Sequence, residues 1–250
     1  MAMDVRSITA PNPGAFTLDG TRSWLLGETA VLDPGPDIES HIAALLEALP
    51  RLETILITHR HADHAPAAIP LRRMTGARVI APAGVLDDET VSQRVSGGEE
   101  IVIEGAVVEV IATPGHTREH VCYLTDDGSL FSGDTILGFG TTAVFPPDGH
   151  MGDYMRSLEL LRRRAPRRIY PAHGPTREDA VALIDEYIAH RLERERQVVE
   201  ALDAGLTSVT SMRERIYPDL DSRLAAAAGI QLTAHLIKLR EEGRVEGWEE

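Results

Sequence analysis

The sequence predicts an α/β fold, and three observations carry that prediction. At 250 residues and 43% hydrophobic, the chain can bury a substantial core. Short apolar runs of strand length alternate with segments of helical spacing over most of its length. Hairpin-like pairs of runs lie on both sides of the crossover segments, a pattern unlike a simple doubly wound sheet.

Strands are expected at 23–26 and 30–32, joined by Gly27-Glu28 and stopped by Asp33-Pro34-Gly35-Pro36. A helix follows over 38–49, where Ile42, Leu45, Leu46 and Leu49 recur at helical spacing. The run 55–57 reads as a strand and 67–74 as a helix with Pro66 near its first turn. Strands at 78–81, 100–103, 107–112, 120–124 and 130–132 come next, then a helix over 153–164 and a strand at 168–170.

After His173-Gly174-Pro175 the character changes. Thr176, with Asp179 three residues on, is read as the cap of a helix that keeps its spacing to about residue 202. Helical segments at 208–216 and 222–242 follow, with Pro218 between them, and 243–248 suits a small β-turn or wing. Helix, helix, helix, wing is the order of a winged-helix module. The expected division is therefore a catalytic domain over 1–195 and a winged-helix-like domain over 196–250.

Composition narrows the function classes. A formal net charge of -14 opposes non-specific attraction to phosphate-rich surfaces, so a nucleic-acid substrate needs a local basic groove. The best basic patch is Arg162-Arg163-Arg164 with Arg167-Arg168, which a solvated helix end explains equally well. Residues 193–250 hold more acidic than basic side chains, and a packing or homodimer role suits that tail as well as RNA binding does. No export signal or membrane span is read from the sequence, and the single cysteine, Cys122, sits in an apolar run as an inert thiol. The expected compartment is the reducing cytoplasm.

Chemistry concentrates between Thr58 and His64, where His59, His61, Asp63 and His64 fall within six residues at the end of the 55–57 run. Such crowding means mutual desolvation and competing protonation unless a divalent cation gathers the group. Three more ligand-type residues stand where a strand meets a loop: His116 after 107–112, Asp134 after 130–132 and His173 after 168–170. Glycine or proline beside each lets the backbone turn sharply and brings the side chain to one sheet edge. His41, His190 and His235 lie in expected helices without ligand-like neighbours and are read as surface residues, whereas His120, four residues beyond His116, is a candidate either to support the ligands from behind or to contact substrate.

The His-x-His-x-Asp-His run at 59–64, followed in order by His116, Asp134 and His173, resembles the signature of the metallo-β-lactamase superfamily. The resemblance covers about residues 15–175 and implies an αββα sandwich. It implies two Zn²⁺ per chain: one held by His59, His61 and His116, a second by Asp63, His64 and His173, with Asp134 bridging. Two such ions can share a water, lower its pKa toward neutrality and hold hydroxide against an electrophilic carbon or phosphorus. Asp63 would orient that nucleophile as well as ligate, and the expected catalytic residues are Asp63, His120 and Tyr154.

Residues 12–21, 131–142 and 153–158, with the tail, resemble the β-lactamase-like protein 2 group, whose characterised animal members cleave single-stranded RNA. A metal-dependent single-stranded RNA endonuclease is therefore one expected function. Hydrolysis of a small ester, thioester or lactone is the alternative, because the ligand set fixes mechanism more firmly than substrate. A winged-helix regulator with a vestigial metal site is a third, which the complete ligand set opposes.

Overall fold

The structure, a computed structural model, describes residues 3–248. Two mixed β-sheets lie face to face, with helices on both outer faces. The first sheet has the order β1 (Val5–Thr9), β2 (Arg22–Leu26), β3 (Ala30–Leu32), β4 (Thr54–Leu56), β5 (Arg78–Pro82) and β6 (Gln93–Val95). The second runs β11 (Arg168–Pro171), β10 (Ser129–Gly133), β9 (Val121–Thr125), β8 (Ala106–Ala112) and β7 (Glu100–Ile103). Strands β3 to β6 pair in parallel, which requires crossovers, and α1 (Glu39–Ala48) and α2 (Ala68–Thr75) supply two of them.

Side-chain alternation along each strand sorts the core into layers. Trp24 and Leu26 point inward with Leu32, Leu56, Val110 and Phe131 to fill the space between the sheets. Leu25, Val31, Ile55 and Val79 point the other way, onto Leu45 and Leu71 of α1 and α2. On the far side, Cys122, Leu130 and Ile169 meet α3 (Met151–Arg164) and the first half of α4 (Ala180–Asp203). This is the αββα sandwich the sequence resemblance implied. Cys122 is sealed in that layer, and burial pushes its thiol up to about 12.

Helix α4 continues past the sandwich. Its second half contributes Val198 and Ala201 to a separate small core with Met212 of α5 (Val209–Ile216) and Leu232, Leu236 and Leu239 of α6 (Ala225–Glu241). Within this junction Lys238 pairs with Glu195 at 2.6 Å, and Arg244 pairs with the same carboxylate.

Several expectations are corrected. Strands β1 and β6 are additional, β6 being three residues long with a single buried side chain, too short to show periodicity. The helix expected to be capped by Thr176 begins at Ala180 instead, because Arg177 is drawn into a bridge with Ile169; Asp179 precedes it without a side-chain capping bond. The expected wing over 243–248 contains no strand among the described residues; Val245 and Trp248 instead pack on the C-terminal core. His41 and His235 are buried rather than on the surface, His41 against Ser23 Oγ at 2.9 Å and His235 with neither ring nitrogen hydrogen-bonded.

Candidate metal centre

Every ligand-type residue singled out from the sequence comes to one edge of the sandwich, because each follows the C-terminal end of a strand. His59, His61, Asp63 and His64 follow β4, His116 follows β8, Asp134 follows β10 and His173 follows β11. Gly133 sits between strand and ligand with a φ of +50°, and a Cβ there would meet Thr58 Oγ1 and His120 Nε2 at 2.7 Å. Only glycine allows the β10 chain to turn this tightly against the β4 loop.

The seven side chains form two groups. His59, His61, His116 and Asp134 offer donor atoms within 4.8 Å of one another, as do Asp63, His64 and His173. Each group could hold a metal ion. In the first, His61 Nδ1 lies 2.9 Å from His59 Nε2 and 3.0 Å from His116 Nε2. Ligands of one tetrahedral zinc stand roughly 3.3 Å apart, so the imidazoles are already near that spacing. Asp134 faces both groups: Oδ2 is 3.5 Å from His116 Nε2, while Oδ1 is 3.3 Å from His173 Nε2 and 3.5 Å from His64 Nε2. His64 Nε2 and Asp134 Oδ1 are buried without any hydrogen-bond partner, a costly arrangement that a cation between the groups would satisfy.

Hydrogen bonds behind the imidazoles fix which nitrogen each presents. Ala143 O accepts from His116 Nδ1 at 2.7 Å, and Gly20 O accepts from His173 Nδ1 at 3.3 Å. Asp33 organises the other two. Its Oδ1 takes the Thr58 N–H and its Oδ2 takes both the Thr58 hydroxyl and His64 Nδ1–H, at 2.8, 2.8 and 2.9 Å. Because the Thr58 hydroxyl spends its only proton on Asp33, it accepts from His59 Nδ1, 2.9 Å away. In their neutral forms His59, His64, His116 and His173 all present an Nε2 lone pair to the centre.

The electrostatics differ between the groups. Burial, reinforced by neighbouring imidazoles, pushes His59 well below its ordinary pKa and His61 down to about 4. Burial also works to lower His173, yet the Asp134 carboxylate beside it carries it up to about 9. Against the opposing effect of their own burial, His64 and His173 hold Asp63 and Asp134 well below the usual carboxylate range. A divalent cation would take the place of the protons that now balance these carboxylates.

His120 and Tyr154, both expected among the catalytic residues, lie behind the ligands, which is one of the two positions expected of His120. His120 is buried and accepts from the Asp134 N–H at 3.2 Å, while its Nδ1 meets the hydroxyls of Thr113 and Thr135. Tyr154 lies on the buried face of α3, donating to Thr135 O at 2.7 Å. Both brace the segment that carries Asp134. Sequence reasoning passed over Asp33, Thr58 and Thr21. Asp33 had a signal: like Asp134, it is an acidic residue directly after a short apolar strand.

A groove of about 640 Å³ opens over the centre, with His61, Asp63, His116, Asp134 and His173 in its floor. Phe16, Leu137, Phe139 and Phe145 form one part of its wall, and Leu220, Leu224, Ala227 and Ala228 of the C-terminal segment form another. Among the described residues, no lysine or arginine lines it. The basic patch lies elsewhere, toward the C-terminal end of α3, with Arg162 paired to Asp185, Arg164 to Glu109 and Arg168 to Glu178.

These features define a metallohydrolase of the αββα class. The chain belongs to the metallo-β-lactamase superfamily, whose family profile matches residues 17–173, and the β-lactamase-associated winged helix domain profile matches residues 208–249. It is 38% identical to a β-lactamase-like protein 2 homolog from Caenorhabditis elegans, over 97% of this chain and 86% of that one. It is 30% identical to an atrochrysone carboxyl ACP thioesterase from Cryptosporiopsis sp. (strain 8999), over 95% of this chain and 80% of that one. Among solved structures, a metallo-β-lactamase family protein from Thermus thermophilus superposes with a TM-score of 0.77 at 22% identity, covering 97% of this chain and 95% of that one.

Proposed function

We propose that the protein is a dizinc hydrolase of a small ester or thioester with an apolar acyl group. The observation that carries the substrate class is the groove: apolar and aromatic walls directly above the ligand cluster, with no cationic side chain among them. A polyanionic strand binds through arginine and lysine on its phosphates, and this surface offers none. Likeness to the ACP thioesterase, a protein named for thioester cleavage, supports the same reading. The proposed division places the sandwich over 1–195 and the winged-helix-like part over 196–250, with the groove between them.

Two bound zinc ions would supply Lewis acidity toward the scissile carbonyl and lower the pKa of a water at the centre. His59, His61 and His116 would hold one, Asp63, His64 and His173 the other, with Asp134 shared. Asp63 Oδ2 is engaged by Thr21, His64 and His173, while Oδ1 has no hydrogen bond among the described residues. That free oxygen would orient the attacking water by accepting its hydrogen bond. The Phe16, Phe139 and Phe145 rings exclude water around the acyl group and hold it against the centre.

The test is a panel of acyl thioesters, aryl esters, lactones and labelled single-stranded RNA offered to zinc-loaded protein and to the His61→Ala, Asp63→Ala double variant. Thioester or ester turnover should be lost in the variant and after chelation. RNA cleavage lost in the same variant, with no acyl hydrolysis, would replace this reading with the endonuclease one.

A further inference from the structure

We propose that Thr21 is a positioning residue that locks the Asp63 carboxylate, and that through it the loop preceding β2 holds one of the two metal groups and not the other. Thr21 is fully buried, 42 positions from Asp63 in sequence, and its hydroxyl lies 3.0 Å from Asp63 Oδ2. The direction of that bond is settled by Asn12. Thr21 N–H donates to Asn12 Oδ1 at 2.9 Å, which turns the other end of the amide, Nδ2, toward Thr21 Oγ1 at 3.0 Å. The amide can only donate there, so the single hydroxyl proton of Thr21 is free for Asp63.

This one-way chain, Asn12 to Thr21 to Asp63, pins the oxygen that also stands 3.2 Å from His173 Nε2 and 3.3 Å from His64 Nε2. The adjacent Gly20 carbonyl accepts from His173 Nδ1, so successive residues hold two members of the same group. Gly20 reaches that position with a φ of +127° and no room for a side chain, since a Cβ would stand 2.2 Å from Ala10 O. Nothing in the loop bonds to His59, His61 or His116. The same loop carries Phe16 into the groove wall, with Thr17 Oγ1 bonded to Asn12 O at 2.6 Å. The segment that meets substrate is thus fastened to the group of Asp63, His64 and His173.

The inference rests on the dizinc reading, and the experiment separates the two. Metal-free full-length protein, wild type and the Thr21→Val and Thr21→Ser variants, is titrated with zinc against a competing chromophoric chelator, and with cobalt(II) to follow its ligand-field spectrum. Wild type should take up two equivalents. Thr21→Val, matched in shape but lacking the hydroxyl, should weaken one equivalent about 10–100-fold and leave the other in place. Thr21→Ser should restore it. Should the valine variant fail to fold, Asn12→Ala, at a partly exposed site, should show the same one-site weakening. Two equivalents bound by Thr21→Val as tightly as by wild type, equal weakening of both, or a serine variant as impaired as the valine one would each overturn the proposal. Wild type binding no metal would overturn the dizinc reading itself.

Discussion

Removing the Asp33 carboxylate would strand the Thr58 N–H, the Thr58 hydroxyl and His64 Nδ1 in a site with no solvent. Asp33→Ala should therefore cost about 3–5 kcal/mol, the range for breaking a buried charged pair, read from denaturant unfolding of the metal-free protein. It should also lower zinc affinity about 10–100-fold, because His64 loses the bond that presents its Nε2 and the Thr58 hydroxyl, which holds His59, loses the acceptor that orients it. Unchanged stability would mean that another acceptor replaces the carboxylate. His120 and Tyr154 belong to the same scale. They reach the backbone of 134–135 rather than the groove, so substitution there should act through the placement of Asp134.

Helices α4 and α6 meet across a junction rich in charge, and His235 of α6 is buried in it facing Arg191, Lys238, Arg194 and His190. Burial and then Arg191 bring its pKa down to about 3, below the ordinary histidine value of an unfolded chain. The unfolded state takes up this proton first. Stability tied to the neutral ring is complete above about pH 6.5 and falls as pH drops toward 3, at up to about 1.4 kcal/mol per pH unit for this one group. His235→Leu should flatten the acid limb of the unfolding free energy by one proton's worth between pH 6 and 4. Equal slopes in variant and wild type would remove His235 from that limb.

That histidine also marks where sequence reading stops. The strand ends carrying His116, Asp134 and His173 were legible because a short apolar run followed by glycine or proline is a local pattern, and the ligand set followed from it. The burial of His41 and His235 was not legible, because a polar residue on a helix becomes core only through the partner that covers it, here Ser23 of β2 and the face of α4. Strand β1 was hidden for a similar reason. Its residues are mostly exposed, and its pairing with β2 places Arg6 opposite Leu25 at the sheet edge, so no apolar alternation announces it.

At the scale of the whole molecule, the C-terminal segment lines the groove over the ligand cluster while standing on a core of its own. Leu220, Leu224, Ala227 and Ala228 line the groove together with Phe16 and Phe139, residues that are 60% and 72% exposed. A wall made of alanines in α6 leaves depth that larger side chains would fill. If that depth receives the acyl chain, its length preference is set by this wall and not by the metal ligands. Ala228→Phe should then lower kcat/KM for long acyl thioesters relative to acetyl by about 10-fold or more, the size of effect that one or two lost methylene contacts produce in a hydrophobic pocket. The check is the ratio of long-chain to short-chain kcat/KM across a graded thioester series, read beside zinc content. A ratio equal to that of wild type would mean that the acyl group lies along the Phe16 and Phe145 side instead, where Phe16→Ala should shift it.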